Sequence, residues 1–253
     1  MGRPGPVDGY RNKVNIICDF DGSISPVDST DLILSRFARP QWAEVEQQWV
    51  DGLISSRECM YQQVGLLRTD QRSLDALIDE IPLTPGFEEF INFAGHRFGL
   101  RPRIVSDGLD YVIGRVLAAH GIRDLKITAN RLLFTEDGFD LEFPYGRSDC
   151  GSGVCKCAVA SEAPGGLCSA GPTILIGDGR SDLCLADRAD FVFARRGLIL
   201  ERHCREQNRP YAPYDSFFDI MNFFEKNVCP LPLAGFSQAG RPAPFTAALE
   251  IKQ

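Results

Sequence analysis

Three short apolar runs along the chain each end abruptly in a polar, glycine-containing cluster. Residues 14–18 lead into Asp19-Phe20-Asp21-Gly22-Ser23, residues 103–105 into Ser106-Asp107-Gly108, and residues 173–176 into Gly177-Asp178-Gly179-Arg180-Ser181-Asp182. Continuous apolar runs of this length predict buried strands that deliver polar groups at their carboxyl ends. Helix-like stretches follow the second and third runs, over residues 109–120 and 182–188. Strands buried on both faces and alternating with helices predict an α/β fold built on a parallel sheet. In such sheets ligands bind in the crevice beyond the carboxyl ends of the strands, so the three polar clusters are expected to converge there.

Between the first and second clusters the strand pattern is missing. Apolar residues recur at helical spacing over 31–37, 42–49, 56–67 and 73–81, which predicts a helical cap, residues 27–82, inserted into a core made of residues 1–26 and 83–229. Residues 125–143 predict two strands joined around Glu136-Asp137-Gly138, and residues 214–227 a final amphipathic helix. From Pro230 onward Gly and Pro dominate, so 230–253 reads as an irregular tail.

The 253 residues are enough for one large domain or a main domain with an insert. No run of about 18 apolar residues occurs, so no membrane span is expected. Residues 1–13 lack the apolar stretch of a secretory signal, which points to the cytoplasm. A net charge of −7 without a dense basic cluster disfavours a nucleic-acid partner. Nine scattered cysteines in a chain without a secretion signal read as reduced thiols. Cys150, Cys155, Cys157 and Cys168 suffice in number for a structural zinc site but lack paired Cys-x-x-Cys spacing. Only five lysines stand against 22 arginines, which makes the position of each lysine informative.

Alone, Asp19-Phe20-Asp21-Gly22 reads either as a turn or as a pair of working carboxylates. Alone, too, Ser106 reads as a helix cap, Lys156 as a surface lysine and Asp182 as a helix N-terminal charge. Their order changes this: Ser106 ends a second strand, Lys156 follows 50 residues later, and Asp178 and Asp182 follow a third strand. That order resembles the four motifs of the haloacid dehalogenase superfamily, Asp-x-Asp-Gly-[Thr/Ser], Ser, Lys and Gly-Asp-x-x-x-Asp. The resemblance implies a Rossmann-like parallel-sheet core with a small helical cap after the first strand. It also implies a phosphatase that uses Mg²⁺ and an aspartyl-phosphate intermediate.

Phosphate monoesters repel nucleophiles, so a site must neutralise charge and hold the attacker in line. On this reading Asp19 is the nucleophile and Asp21 the acid and base. The Asp19 and Asp178 side chains and the Asp21 backbone carbonyl are the expected Mg²⁺ ligands. Ser106 and Lys156, with N–H groups of the Gly22 and Gly108 turns, are expected to bind the phosphoryl oxygens. Asp182 is expected outside them, orienting a metal-bound water or Lys156. An acid at Asp21 favours a phosphatase over a metal-free dehalogenase.

Residues 16–24, Arg39-Pro40-Gln41-Trp42, Gly65-Leu66-Leu67 and Cys204-Arg205-Glu206-Gln207-Asn208 resemble the phosphoserine phosphatase-like branch. Within it they are similar to the methionine-salvage phosphatases that act on 2-hydroxy-3-keto-5-methylthiopentenyl-1-phosphate. Two departures stand out. Asp107 follows the motif serine where similar enzymes commonly carry Gly or Ala. The Cys-Gly-x-Cys-Lys run is stretched to Cys150-Gly151-Ser152-Gly153-Val154-Cys155-Lys156. Asp28 and Asp107 are candidates for substrate selection, expected to favour neutral, hydroxylated or cationic esters; the structural alternative is that Asp28 caps a helix and Asp107 shapes a turn. The expected partner is a small phosphorylated metabolite, with phosphoserine, phosphocholine or phosphoethanolamine, or a non-catalytic phosphate-binding role, as alternatives. Homo-oligomerisation is left open.

Overall fold

The computed structural model describes residues 14–162 and 172–227. Strand β1 (Asn15–Cys18) lies at the centre of a seven-stranded sheet, paired in parallel with β2 (Arg103–Leu109) on one side and β5 (Thr173–Gly177) on the other. The sheet continues through β3 (Ile127–Thr135) and β4 (Gly138–Glu142) at one edge, and through β6 (Phe191–Arg195) and β7 (Tyr211–Tyr214) at the other. Every pairing is parallel except that of β3 with β4, the hairpin expected around Glu136-Asp137-Gly138. The α/β parallel-sheet fold read from the sequence is therefore the fold of the chain.

Because side chains alternate across a strand, each central strand serves two apolar layers. Ile16, Cys18, Ile174, Ile176, Phe191 and Phe193 face one layer, closed by α5 (Phe87–Phe98), α6 (Asp110–Ala119) and α10 (Phe217–Asn227). Ile17, Leu175, Val192 and Ala194 face the other, closed by α7 (Lys156–Glu162), α8 (Leu183–Ala186) and α9 (Ile199–Glu206).

Four helices, α1 (Ser29–Phe37), α2 (Trp42–Val50), α3 (Ser56–Gly65) and α4 (Gln71–Ile78), occupy the stretch between β1 and α5. Three of them start where the sequence supplies a capping acceptor. Asp28 accepts from Asp31 N at 2.9 Å, Asp70 accepts from Ser73 N at 2.7 Å, and Ser55 and Glu58 form a reciprocal capping box. Ile33 and Leu34 of α1 and Leu74 and Ile78 of α4 are buried in the main core. Arg115 of α6 forks onto Asp79 at 2.8 and 2.7 Å and reaches Asp75 at 3.0 Å, which ties α4 down a second time. Helix α2 buries only Val45, and α3 reaches the main core through Val64 alone, so α2 and α3 form the outer part of the helical stretch.

The structure corrects several boundaries. Strand β2 runs on through Ser106-Asp107-Gly108 with a register shift between Val105 and Leu109, so the second polar cluster is a bulge within a strand rather than a turn after it. The last helix begins at Phe217, because Tyr211–Tyr214 forms the edge strand β7, where Pro213 is tolerated. The helix after β5 is only four residues long and follows a tight turn over Arg180–Asp182. The opening 1–13, Cys168 and the tail at 230–253 lie outside the described residues. Among the described residues no helix is long and apolar enough to cross a membrane.

The ring of Phe217 is fully buried, 4.9 Å from Phe87 and 5.2 Å from Phe90 between centroids. Phe217→Ala should cost about 3–5 kcal/mol of stability, read as a lower midpoint in urea. An unchanged midpoint would show that this cluster does not hold α10 to the sheet.

Candidate active site

Asp19 directly follows β1 and opens a wide turn over Phe20–Ile24, closed by Ser25 N donating to Phe20 O at 2.9 Å. Within it Asp21 is extended (φ −68°, ψ 133°) and Gly22 is left-handed (φ 70°). Glycine is required at 22 for a second reason, since a β-carbon would collide with the Asp178 carboxylate. Asp178 leaves the end of β5, and Lys156 opens α7. The Lys156 ammonium has no exposed surface and lies 2.6 Å from both Asp19 Oδ2 and Asp182 Oδ1. The other Asp182 oxygen accepts from Asp178 N at 3.0 Å and Gly179 N at 3.2 Å, which curls the loop after β5 around it.

Asp21 and Ser106 meet at the neighbouring corner. Asp21 Oδ1 accepts from Ser29 N at 2.7 Å, the first amide of α1. Gly108 N donates to Ser106 Oγ at 3.1 Å, and a β-carbon on Gly108 would stand 2.5 Å from Asp21 Oδ2 and 3.3 Å from Ser106 Oγ. The fold thus gathers Asp19, Asp21, Gly22, Ser106, Gly108, Lys156, Asp178 and Asp182 at the carboxyl ends of β1, β2 and β5. Asp28 caps α1, and Asp107 has both oxygens engaged, Oδ1 by Val154 N at 2.8 Å and Oδ2 by Ser56 Oγ at 3.0 Å. Two hydroxyls that the sequence reading did not assign also face the site. Ser181 Oγ is 3.5 Å from Asp19 Oδ2 and Ser23 Oγ is 3.4 Å from Asp178 Oδ1. Their presence inside the first and fourth polar motifs was the signal available.

Electrostatically the site is short of positive charge. Burial and then the Asp28 charge push the Asp21 carboxyl up to about 8, against hydrogen bonds from Ser29 that pull it down. Burial and the Asp19 and Asp182 charges push Asp178 up to about 8, with Lys156 offsetting part of the effect. Burial raises Asp182 to about 6, held back by Lys156. Burial would lower the Lys156 ammonium, but Asp182 and Asp19 hold it well above the usual lysine range. One ammonium does not balance this many carboxylates.

Asp19, Asp178 and Asp182 offer carboxylate oxygens all within 4.8 Å of one another, the one such group of three metal-capable side chains among the described residues. An all-oxygen donor set suits a hard divalent cation. Asp182 has both oxygens committed to Lys156 and backbone N–H groups, whereas Asp178 Oδ2 receives no protein donor among the described residues. The cysteines do not form a comparable group: Cys155 and Cys157 place their sulfurs 3.5 Å apart and Cys184 lies against Cys157, but among the described residues no three of these thiols come within 4.8 Å of one another.

The sequence profile of the family described as Putative Phosphatase matches residues 14–213. A 2-hydroxy-3-keto-5-methylthiopentenyl-1-phosphate phosphatase from an Exiguobacterium species is 30% identical over 220 residues, 84% of this chain and 98% of that protein. Its counterpart in Geobacillus kaustophilus is 30% identical over 218 residues, 83% of this chain and 95% of that protein. Among solved structures, a phosphoserine phosphatase from T. onnurineus superposes with a TM-score of 0.63 at 16% identity, covering 87% of this chain and 98% of its own. A phosphoserine phosphohydrolase-like protein from Francisella tularensis superposes with a TM-score of 0.62 at 22% identity, covering 83% and 98%. The chain therefore belongs to the Putative Phosphatase family and is a phosphoric monoester hydrolase with the haloacid dehalogenase fold.

Proposed function

We propose that this enzyme hydrolyses a small phosphate monoester, 2-hydroxy-3-keto-5-methylthiopentenyl-1-phosphate, with Mg²⁺ and a phosphorylated Asp19. The observation that carries the chemistry is the division of labour on one turn. Asp19 is held beside Asp178 by the buried Lys156, while Asp21, two residues on, sits where burial favours its protonated form.

The substrate phosphoryl group binds between Ser106 Oγ, Lys156 Nζ and the N–H groups around Gly22 and Gly108, which neutralise and orient its oxygens. An Asp19 oxygen attacks phosphorus; the oxygen–phosphorus bond to Asp19 forms as the bond to the leaving oxygen breaks, and Asp21 gives that oxygen its proton. Asp21, now a carboxylate, takes a proton from water as the water oxygen bonds to phosphorus and the Asp19–phosphorus bond breaks. The Asp19 and Asp178 side chains and the Asp21 carbonyl would hold Mg²⁺, which would neutralise charge on the phosphoryl oxygens. Asp182 keeps Lys156 aimed at Asp19.

The name of the relatives, matched over nearly their whole length, supports this substrate. The charge of the site supports a tail without a second anion. Asp21, Asp28 and Asp178 crowd the crevice, and Arg57 turns its Nη2 to the carbonyls of Arg147, Cys150 and Ser152 at 2.8, 3.0 and 3.0 Å. A cytoplasmic setting suits the seven described cysteines, all of them free.

Three measurements test the reading. Phosphate release across a panel of phosphorylated metabolites should give the highest kcat/KM for the methylthiopentenyl ester, and a higher value for phosphoserine overturns the substrate. Chelation should abolish turnover and Mg²⁺ restore it, and Asp19→Asn should lose several orders of magnitude in rate; a near-normal rate in that variant removes Asp19 as nucleophile. Asp21→Asn should slow an alkyl phosphate by roughly 10²- to 10⁴-fold and p-nitrophenyl phosphate, with its better leaving group, much less. Equal losses on the two esters contradict an acid at position 21.

A further inference from the structure

The acid after the phosphate-binding serine and the loop before the lysine touch each other. Asp107 Oδ1 accepts from Val154 N in that loop at 2.8 Å, and its Oδ2 accepts from Ser56 Oγ, in the first turn of α3, at 3.0 Å. The Asp107 carbonyl accepts from the fully buried Asn130 amide at 2.6 Å. One residue, flanked by Ser106 and Gly108, thus joins the helical insert, the β2 bulge and the segment that delivers Lys156.

The start of α3 is pinned to the same loop by a second set of bonds. Arg57 N donates to Gly151 O at 3.0 Å, and its guanidinium donates to Arg147 O, Cys150 O and Ser152 O. Across the loop that joins α2 to α3, in the last turn of α2, Arg180 of the loop after β5 lies over the Trp49 ring, 5.2 Å from guanidinium carbon to centroid. The end of the α2–α3 pair that carries its connecting loop therefore meets both the Asp178 loop and the Ser106 and Lys156 segments.

We infer that Asp107 is a positioning residue: its carboxylate fastens α3 to the loop before Lys156, so that seating of the α2–α3 hairpin and alignment of Ser106 and Lys156 occur together. The inference rests on the phosphatase reading of this site, but not on the identity of the substrate. Asp107 acts through Ser56 and Val154, each of which donates to one of its oxygens, rather than by touching the substrate tail. Losing one charge-assisted hydrogen bond shifts an open–closed balance by about tenfold, which falls on substrate binding when the closed form binds better.

The test uses the full-length, Mg²⁺-loaded enzyme and the variants Ser56→Ala, Asp107→Asn and their double, with p-nitrophenyl phosphate as the kinetic probe. Amide hydrogen exchange across residues 56–65 and 147–154 should rise together by about tenfold in each single variant, and the double should add little more. KM should rise severalfold with kcat little changed, and the melting temperature should stay close to that of the parent. Faster exchange without a change in KM would reduce Asp107 to a structural tie, and unchanged exchange in Ser56→Ala would refute the joint. A reordered substrate preference in Asp107→Asn but not in Ser56→Ala would mean that Asp107 contacts the substrate instead. Exchange is readable even in a chain without turnover, so failure of the phosphatase reading is seen separately, as absence of hydrolysis in the parent enzyme.

Discussion

The Lys156 ammonium lies 2.6 Å from the carboxylates of Asp19 and Asp182, without any exposed surface. Taking such charges out of water costs several kcal/mol per ion, and the arrangement persists because every partner is already hydrogen-bonded. Asp182 spends its remaining oxygen on the amides of Asp178 and Gly179. Asp19 accepts from Phe20 N at 2.7 Å. Lysine, carboxylates and backbone thereby set the relative placement of the ends of β1 and β5 and the start of α7. The Asp178 carboxylate, facing the bare α-carbon of Gly22, follows from that placement.

The same crowding explains why the site is so acidic. Burial and mutual repulsion lift Asp21 and Asp178 far above ordinary carboxylates. In Asp178 that lift expresses an unmet demand for positive charge, the demand a divalent ion satisfies. In Asp21 burial favours the protonated carboxyl, while the Ser29 amide that donates to it pulls the other way. Two neighbouring acids thus come to differ in chemistry through what surrounds them.

The central strands were legible in the sequence because each is a continuous apolar run ending in a glycine-bearing polar cluster. The four helices α1 to α4 were legible from their periodicity, and Asp28 as the structural alternative that caps α1; the caps at Ser55 and Asp70 show only in the structure. What escaped was structure whose cause lies far along the chain. Tyr211–Tyr214 carries a proline and looks unlike a strand until β6 is there to pair with it. The continuation of β2 through Ser106 and Asp107 depends on β3 beside it. The order of Asp19, Ser106, Lys156 and Asp178 pointed to their meeting place. The engagement of Asp107 did not show, because its partners Ser56 and Val154 are 51 and 47 residues away.

The insert enters and leaves at a single place. Ser29 N bonds Asp21 as the insert begins, and beyond α4 Thr84 returns to the Ser23 and Ile24 carbonyls at 2.8 and 2.7 Å. Helices α1 and α4 each place two buried side chains in the main core, whereas α3 adds only Val64 and α2 none. Selective pressure therefore falls unevenly on neighbouring stretches of one polypeptide. The inner pair is answerable to the sheet and to the Asp19 turn, and the start of α3 to the loop before Lys156, whereas α2, with one buried residue, has the most room to change. New substrate preferences can arise in residues 42–50 without disturbing the bonds that Ser56 and Arg57 make to that loop.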